Sequence, residues 1–220
     1  MGIGTGPGSD PSLTEEVILN AARDALRHEA SAVQALADRL DERFLRAIEH
    51  IRSSEGRVVV SGLGKSGLVG RKIAASLSST GSPALFVHAA EALHGDSGMI
   101  LPQDVMIAIS NSGETSEVVT FAGIAHARGS VVIAFTGVPT SSLASLADEV
   151  LDIGIEREAD PHDLAPTAST TATMALGDAL CVALMMVQGF TADDFLANHP
   201  GGSLGGRAAP TEDDPGSAPA

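Results

Sequence analysis

The stretch Arg57-Val-Val-Val-Ser-Gly-Leu-Gly-Lys-Ser-Gly67 joins a short β-branched run to a glycine-rich turn. Arg57–Ser61 has the composition of a buried strand. Gly62–Gly67 is the turn, and Leu68–Thr80 follows with helical periodicity. The same order returns at Val105–Ser110, the turn Asn111–Gly113 and a helix from Glu114 to Arg128. Further strands are expected at Ala84–His88, Ser130–Thr136 and Glu149–Ile153. Repeated strand–turn–helix units imply parallel strands joined by right-handed crossovers. The predicted fold is therefore α/β: three layers, α/β/α, around a doubly wound five-stranded parallel sheet. Ligands of such sheets sit outside the carboxyl ends of the strands. That rule directs attention to the loops after Ser61, His88, Ser110 and Ile153.

Outside these units the pattern is helical. From Leu13 to about Ser54 apolar residues recur near a 3.6 period, which predicts an N-terminal helical arm, as one long helix or two. Gly56 is expected to close it. Thr167–Gln188 reads as a buried helix, with Met185 and Met186 as core filling. Ala192–Asn198 is a short helix. Residues 1–12 and 208–220 are expected to be loose tails, leaving one domain over 13–207.

The composition fits this fold. A chain of 220 residues suits one domain, and 44% hydrophobic residues with no Trp or Tyr favour a core of Ala, Val, Leu and Ile. A formal net charge of −15 argues against nucleic acid and anionic membrane as partners, since both need concentrated Lys and Arg. A phosphorylated small molecule stays open, because backbone N–H groups and hydroxyls can hold phosphate. The single cysteine, Cys181, points to a reducing cytoplasm. No N-terminal segment has the form of a signal peptide.

Two strand ends carry the chemistry. Gly62, Gly64 and Gly67 fit a dinucleotide fingerprint, but the acidic residue expected at the end of the second strand is missing: that strand ends at Val87-His88. A phosphate-binding Walker loop fails too, because Val59 stands where its first glycine belongs. What remains is a glycine turn delivering Lys65 and Ser66 to the ligand end of the sheet. The second segment, Ser110-Asn-Ser-Gly-Glu-Thr-Ser-Glu117, places the hydroxyls of Ser110, Ser112 and Thr115 at a helix start. There, free N–H groups and the positive dipole end can cradle phosphate without basic residues. Ordinary helix capping accounts for one such hydroxyl more easily than for three.

These two segments together resemble the SIS (sugar isomerase) domain, and three more narrow the likeness. Phe86-Val-His-Ala-Ala-Glu-Ala-Leu-His-Gly-Asp96, Leu164-Ala-Pro-Thr-Ala-Ser-Thr-Thr171 and His199-Pro-Gly-Gly-Ser-Leu-Gly205 resemble segments of the D-arabinose 5-phosphate isomerase branch. The resemblance runs from about Leu13 to Arg207 and implies a flavodoxin-like SIS fold. Two positions depart from it: Asp160 stands where a cysteine is frequent, and Ala89 where proline is usual. Many relatives carry a pair of CBS domains after the His-Pro-Gly-Gly segment, whereas an acidic tail stands here, so a chain without that pair is expected.

The implied reaction is aldose–ketose isomerisation through a cis-enediol, interconverting D-ribulose 5-phosphate and D-arabinose 5-phosphate. It needs a base at C2, a proton path between O1 and O2, and stabilisation of the enediolate. By the resemblance, Lys65, Glu117, Glu158 and His199 are the catalytic set. Glu158 is assigned as the C2 base, Lys65 as the enediolate stabiliser, and His199 and Glu117 as proton shuttles; the roles can permute. Phosphate and sugar contacts are assigned to Gly64, Ser66, His94, Ser110, Ser112, Thr115 and Glu114. No cofactor and no required metal are expected, with His88 a site for adventitious zinc. Taken without the resemblance, Glu114 and Glu117 read as solvated charges, His199 as a loop histidine and His162 as solvent-exposed. Alternatives are a hexulose or heptose phosphate as substrate, a non-catalytic phosphosugar sensor, and a dinucleotide oxidoreductase. The apolar stripe of the N-terminal arm predicts a homodimer or homotetramer, with His199 completing a neighbour's site.

Overall fold

A computed structural model describes residues 13–200. The expected tails, 1–12 and 208–220, and the stretch 201–207 lie outside the described residues. Five strands, β1 (Val58–Gly62), β2 (Ala84–His88), β3 (Val105–Ile109), β4 (Val131–Thr136) and β5 (Glu149–Asp152), form one sheet in the order β2-β1-β3-β4-β5. Every pairing is parallel. This is the flavodoxin-like order, and the direction of winding reverses between β1 and β3. At that boundary Gly62 stands beside Ile109 in register.

Four helices cover one face: α1 (Glu15–Asp38), α2 (Glu42–Ser53), α3 (Gly64–Ser79) and α7 (Ala168–Gln188). The other face carries α4 (Ala89–Ala92), α5 (Ser116–Ala127) and α6 (Ser142–Leu146). The two-residue period of the strands sorts their side chains between the layers. Val58, Val60, Ile107 and Ile109 pack on the first face, and Val59, Met106 and Ala108 on the second. A final helix, α8 (Ala192–Asn198), has a capping box in which Thr191 and Asp194 satisfy each other's backbone N–H groups.

The N-terminal arm is two helices. Arg39 and Leu40 break it, and the Asp41 carboxylate restarts it by accepting from the Arg43 N–H at 2.9 Å. The first half of α1 is exposed, with Val17, Ile18, Leu19 and Leu26 facing outward, while Leu36 is buried. α2 buries Phe44, Ala47, Ile48 and Ile51 against the sheet.

Three local expectations are corrected. Gly56 does not close the arm, since α2 ends at Ser53. A Cβ on Gly56 would lie 2.4 Å from the Gln103 carbonyl oxygen, so glycine is needed there for close approach. The glycine turn after β1 is shorter than expected: α3 begins at Gly64, so Lys65 and Ser66 lie in a helical first turn. Met186 is 78% exposed and fills no core.

α7 is long and apolar enough to cross a membrane, the one such helix among the described residues. Its inner face is nevertheless packed into the core through Leu176, Leu180 and Leu184. Gly177 lets α7 approach α3 closely, for a Cβ there would fall 2.4 Å from Ile73 Cγ1. Helix propensity favours Ala over Gly by about 1 kcal/mol, but overpacking a buried contact costs about 1–3 kcal/mol. Gly177→Ala is therefore expected to lower the urea midpoint, and an unchanged or raised midpoint would contradict this packing.

Candidate active site

Two helices start at the switch point, and neither carries a side-chain cap. Leu63 precedes α3 and can offer no cap, and Thr115 precedes α5 without bonding its N–H groups. By contrast α1, α2, α6 and α8 are capped by Thr14, Asp41, Ser141 and Thr191. The first N–H groups of a helix have no intrahelical acceptor. At α3 they stay open to an anion beside the β1–β3 boundary, whereas at α5 the Glu117 carboxylate takes its own N–H. The Thr115 hydroxyl pairs with Ser110 Oγ at 2.9 Å, and Ser110 Oγ also accepts from the Gly113 N–H at 3.1 Å. Gly113 has φ 67°, and a Cβ there would lie 1.9 Å from Ser141 Oγ. Only glycine lets this loop fold tightly enough to present its hydroxyls.

Beside these helix starts opens a cleft of about 350 Å³, within the range of small-molecule sites. Ser66 of α3 and Asn111 of the β3 loop line it, facing the loop after β5 through Glu158 and the start of α7 through Ser169, Thr170 and Thr173. Glu158 is 9% exposed. Its Oε2 accepts from Thr167 N at 2.8 Å, Thr167 Oγ1 at 3.1 Å and Ser169 N at 3.1 Å, while Oε1 accepts from Ser169 Oγ. Burial pushes the Glu158 carboxyl up, but these donors outweigh it and hold the group below the usual carboxylate range. Glu158 is thus the cap that α7 takes from the loop leading into it. Oε1, with one donor, keeps the spare acceptor capacity.

The loop between Glu158 and α7 is ordered by aspartates. Asp160 accepts from the N–H groups of His162, Leu164 and Ala165 at 2.9, 2.8 and 2.8 Å. Burial raises its pKa, and these N–H groups reverse that and lower it. Asp163, at φ 57°, accepts from the Glu158 N–H at 2.6 Å.

Of the expected residues, only Ser66 and Glu158 line the cleft. Gly64, Lys65 and Ser66 share one helical turn, and Ser110, Ser112 and Thr115 share the loop next to Asn111. Lys65 is exposed, has no ion pair among the described residues, and does not line the cleft. Glu114 is turned away to accept from Ser142 N at 2.8 Å, and Ser142 holds its carboxyl low. Glu117, in the first turn of α5, is held low by its own backbone N–H and by the Ser116 hydroxyl. His94 is exposed in the turn after α4. His88 ends β2 with its Nδ1 buried and unpartnered, and no third metal-ligating side chain joins a cluster among the described residues. His162 is exposed. His199 stacks on Phe195 with ring centroids 4.0 Å apart, and its Nδ1 lies 2.8 Å from the Phe195 carbonyl oxygen. Its neighbour Asn198 donates to the Ser79 carbonyl at 3.3 Å, in the last turn of α3. Lys65 is in the first turn, so helix rise alone separates the two ends by roughly 20 Å. His199 is not part of its own chain's cleft.

Asn111, Ser169 and Thr170 line the cleft and were not among the expected contacts. The motifs that contain them were visible, but which of their side chains turn inward depends on how the loops fold.

The SIS domain family model matches residues 50–183. The chain belongs to the SIS domain family. It is 50% identical over 189 residues to "Arabinose 5-phosphate isomerase KdsD" of Pseudomonas aeruginosa PAO1, covering 86% of this chain and 58% of that protein. Over 192 residues it is 50% identical to "Arabinose 5-phosphate isomerase GutQ" of Escherichia coli K12, covering 87% and 60%. The chain therefore spans about three-fifths of the length of these curated relatives. Its fold matches the solved structure of E. coli CFT073 c3406 in complex with arabinose 5-phosphate, with TM-score 0.82 and 39% identity, over 86% of this chain and 100% of that one.

Glu158→Gln removes the charge that four donors stabilise, at an expected cost of about 1–3 kcal/mol at pH 7. The native carboxyl titrates below its ordinary value of 4.5, so its contribution is present above that value and is lost as pH falls through the native pKa. Urea unfolding should show the gap between wild type and variant closing in acid. A gap independent of pH would refute the capping role.

Proposed function

We propose that this chain interconverts D-ribulose 5-phosphate and D-arabinose 5-phosphate through an enediol. The observation that carries the reading is the pair of uncapped helix starts, α3 and α5, beside a cleft into which Glu158 is built. The open N–H groups and the hydroxyls of Ser110, Ser112 and Thr115 suit a phosphate, and an acidic carboxylate beside them suits proton transfer at carbon. The names of the relatives and the arabinose 5-phosphate complex of the matching fold support the same substrate. Glu158 is ionised at neutral pH and takes the C2 proton at Oε1. Lys65, one residue from the cleft-lining Ser66, neutralises the enediolate. Glu117 and His199 move protons for ring opening and between O1 and O2.

Because His199 lies at the far end of α3 from Lys65, it serves this chemistry in another copy's cleft. We therefore read the protein as a homodimer or homotetramer, with the exposed apolar half of α1 and Val182, Met186 and Val187 of α7 as surface for contact between copies. Cys181 is a buried free thiol whose pKa burial raises to about 11. An unreactive thiol of that kind suits a cytoplasmic setting.

The deciding experiment incubates chelator-treated protein with D-ribulose 5-phosphate in D2O and follows products by proton NMR. Arabinose 5-phosphate carrying deuterium at C2 is expected. Turnover of a longer ketose phosphate alone would replace the substrate, and binding without turnover would leave a sensor. Thr115→Ala is expected to raise KM about five- to tenfold, one lost hydrogen bond to phosphate. Lys65→Ala and His199→Ala should each be inactive alone and regain activity when mixed as hetero-oligomers. Failure of the mixture to recover would place His199 outside the neighbour's site.

A further inference from the structure

The chain that carries Glu158 leaves β5 and runs from Ile153 to Glu158 along the rim of the cleft. Ile155 and Glu156 line the cleft on one side. On the other side they line a second cavity of about 300 Å³, roofed by α1. Ile153 is buried in the core and Ile155 packs against it, but from Gly154 to Glu156 the chain separates two voids, so packing there is incomplete. Polar contacts from α1 add to it. His28 Nε2 lies 2.7 Å from the Arg157 carbonyl oxygen, and Arg39 donates through Nη2 to the Gly154 carbonyl at 2.6 Å. Beside His28, Glu29 accepts from Thr171 Oγ1 at 2.9 Å, in the first turn of α7. α1 thus grips both segments that Glu158 connects, the backbone just before it and the helix start that donates to its carboxylate.

We propose that His28 is a positioning residue for Glu158. A carbonyl oxygen only accepts, so the ring donates from Nε2 to Arg157 and fixes the backbone one residue before the carboxylate. Arg39 holds the loop three residues earlier, and Asp163 bonds the N–H of the same peptide at 2.6 Å from within the loop, so only His28 ties that peptide to α1. The proposal rests on the reading of Glu158 as the carboxylate that takes the C2 proton. A displacement of about 1 Å in such a group can cost on the order of a hundredfold in rate.

The test compares His28→Ala and His28→Gln in the full chain. Gln is chosen because its amide can donate from nearly the same point. Ribulose 5-phosphate kinetics are measured together with residue-resolved amide exchange. For His28→Ala, kcat is expected to fall about tenfold with KM held within about twofold, and His28→Gln to recover most of the loss. In the same variant the amides of Glu158, Thr167 and Ser169 should exchange about tenfold faster, with those of β1 and β3 unchanged. A kcat within about twofold of wild type overturns the proposal. So does a loss that Gln does not restore and that comes with faster exchange throughout the sheet, the signature of a merely structural role. If wild type turns over no phosphosugar, the functional reading fails on its own. Exchange then decides for His28: acceleration confined to 154–169 sustains the positioning role, and none ends it.

Discussion

The carboxylate of Glu158 ties the loop after β5 directly to the start of α7. α7 needs an acceptor for its first N–H groups, and Thr167 offers no cap of its own. The loop after β5 supplies one from nine residues upstream. Once that bond set forms, the loop is closed over the helix start, Asp160 and Asp163 organise the residues between, and the cleft acquires its far wall. Removing the charge would loosen all three together, because a helix N-terminus left without an acceptor draws in water instead. The same bonds that give this order also keep the carboxylate ionised at neutral pH.

Across the cleft the opposite arrangement holds. α3 starts bare and α5 carries only the Glu117 carboxylate on its own N–H, which is tolerated because both starts are exposed at the switch point. Their contrast with the capped starts of α1, α2, α6 and α8 gives the site its electrostatic sense in a chain of strongly negative net charge. Local N–H dipoles favour an anion near a helix start, whereas net charge sets the field far from it.

α1 serves two ends. Its second half lies on α7 and reaches through His28, Glu29 and Arg39 to the loop that bears Glu158, while its first half extends from the body with apolar side chains outward.

Much of this was legible in the sequence. β-branched runs of four to six residues, separated by glycine turns and amphipathic stretches, determine a parallel three-layer sheet, because only helices can return each strand to the same edge. That fold brings Ser66 and the Ser110–Thr115 loop to one boundary, and the motif order points to the family. The sequence left open whether the arm was one helix or two, which Asp41 settled by capping the second. It also misread Gly56, whose need for space arises from Gln103, far along the chain. Glu114 and Glu117 looked alike in sequence, and the partners each found, Ser142 for one and its own helix start for the other, came from loop packing. His199 sat in a motif that suggested catalysis, yet the fold carries it to the opposite end of α3. Local pattern determined the elements, since period and turn chemistry are properties of neighbouring residues. Only the tertiary structure decided which side chains share a cleft, since that depends on distances set by residues more than a hundred positions apart, as His28 and Arg157 are.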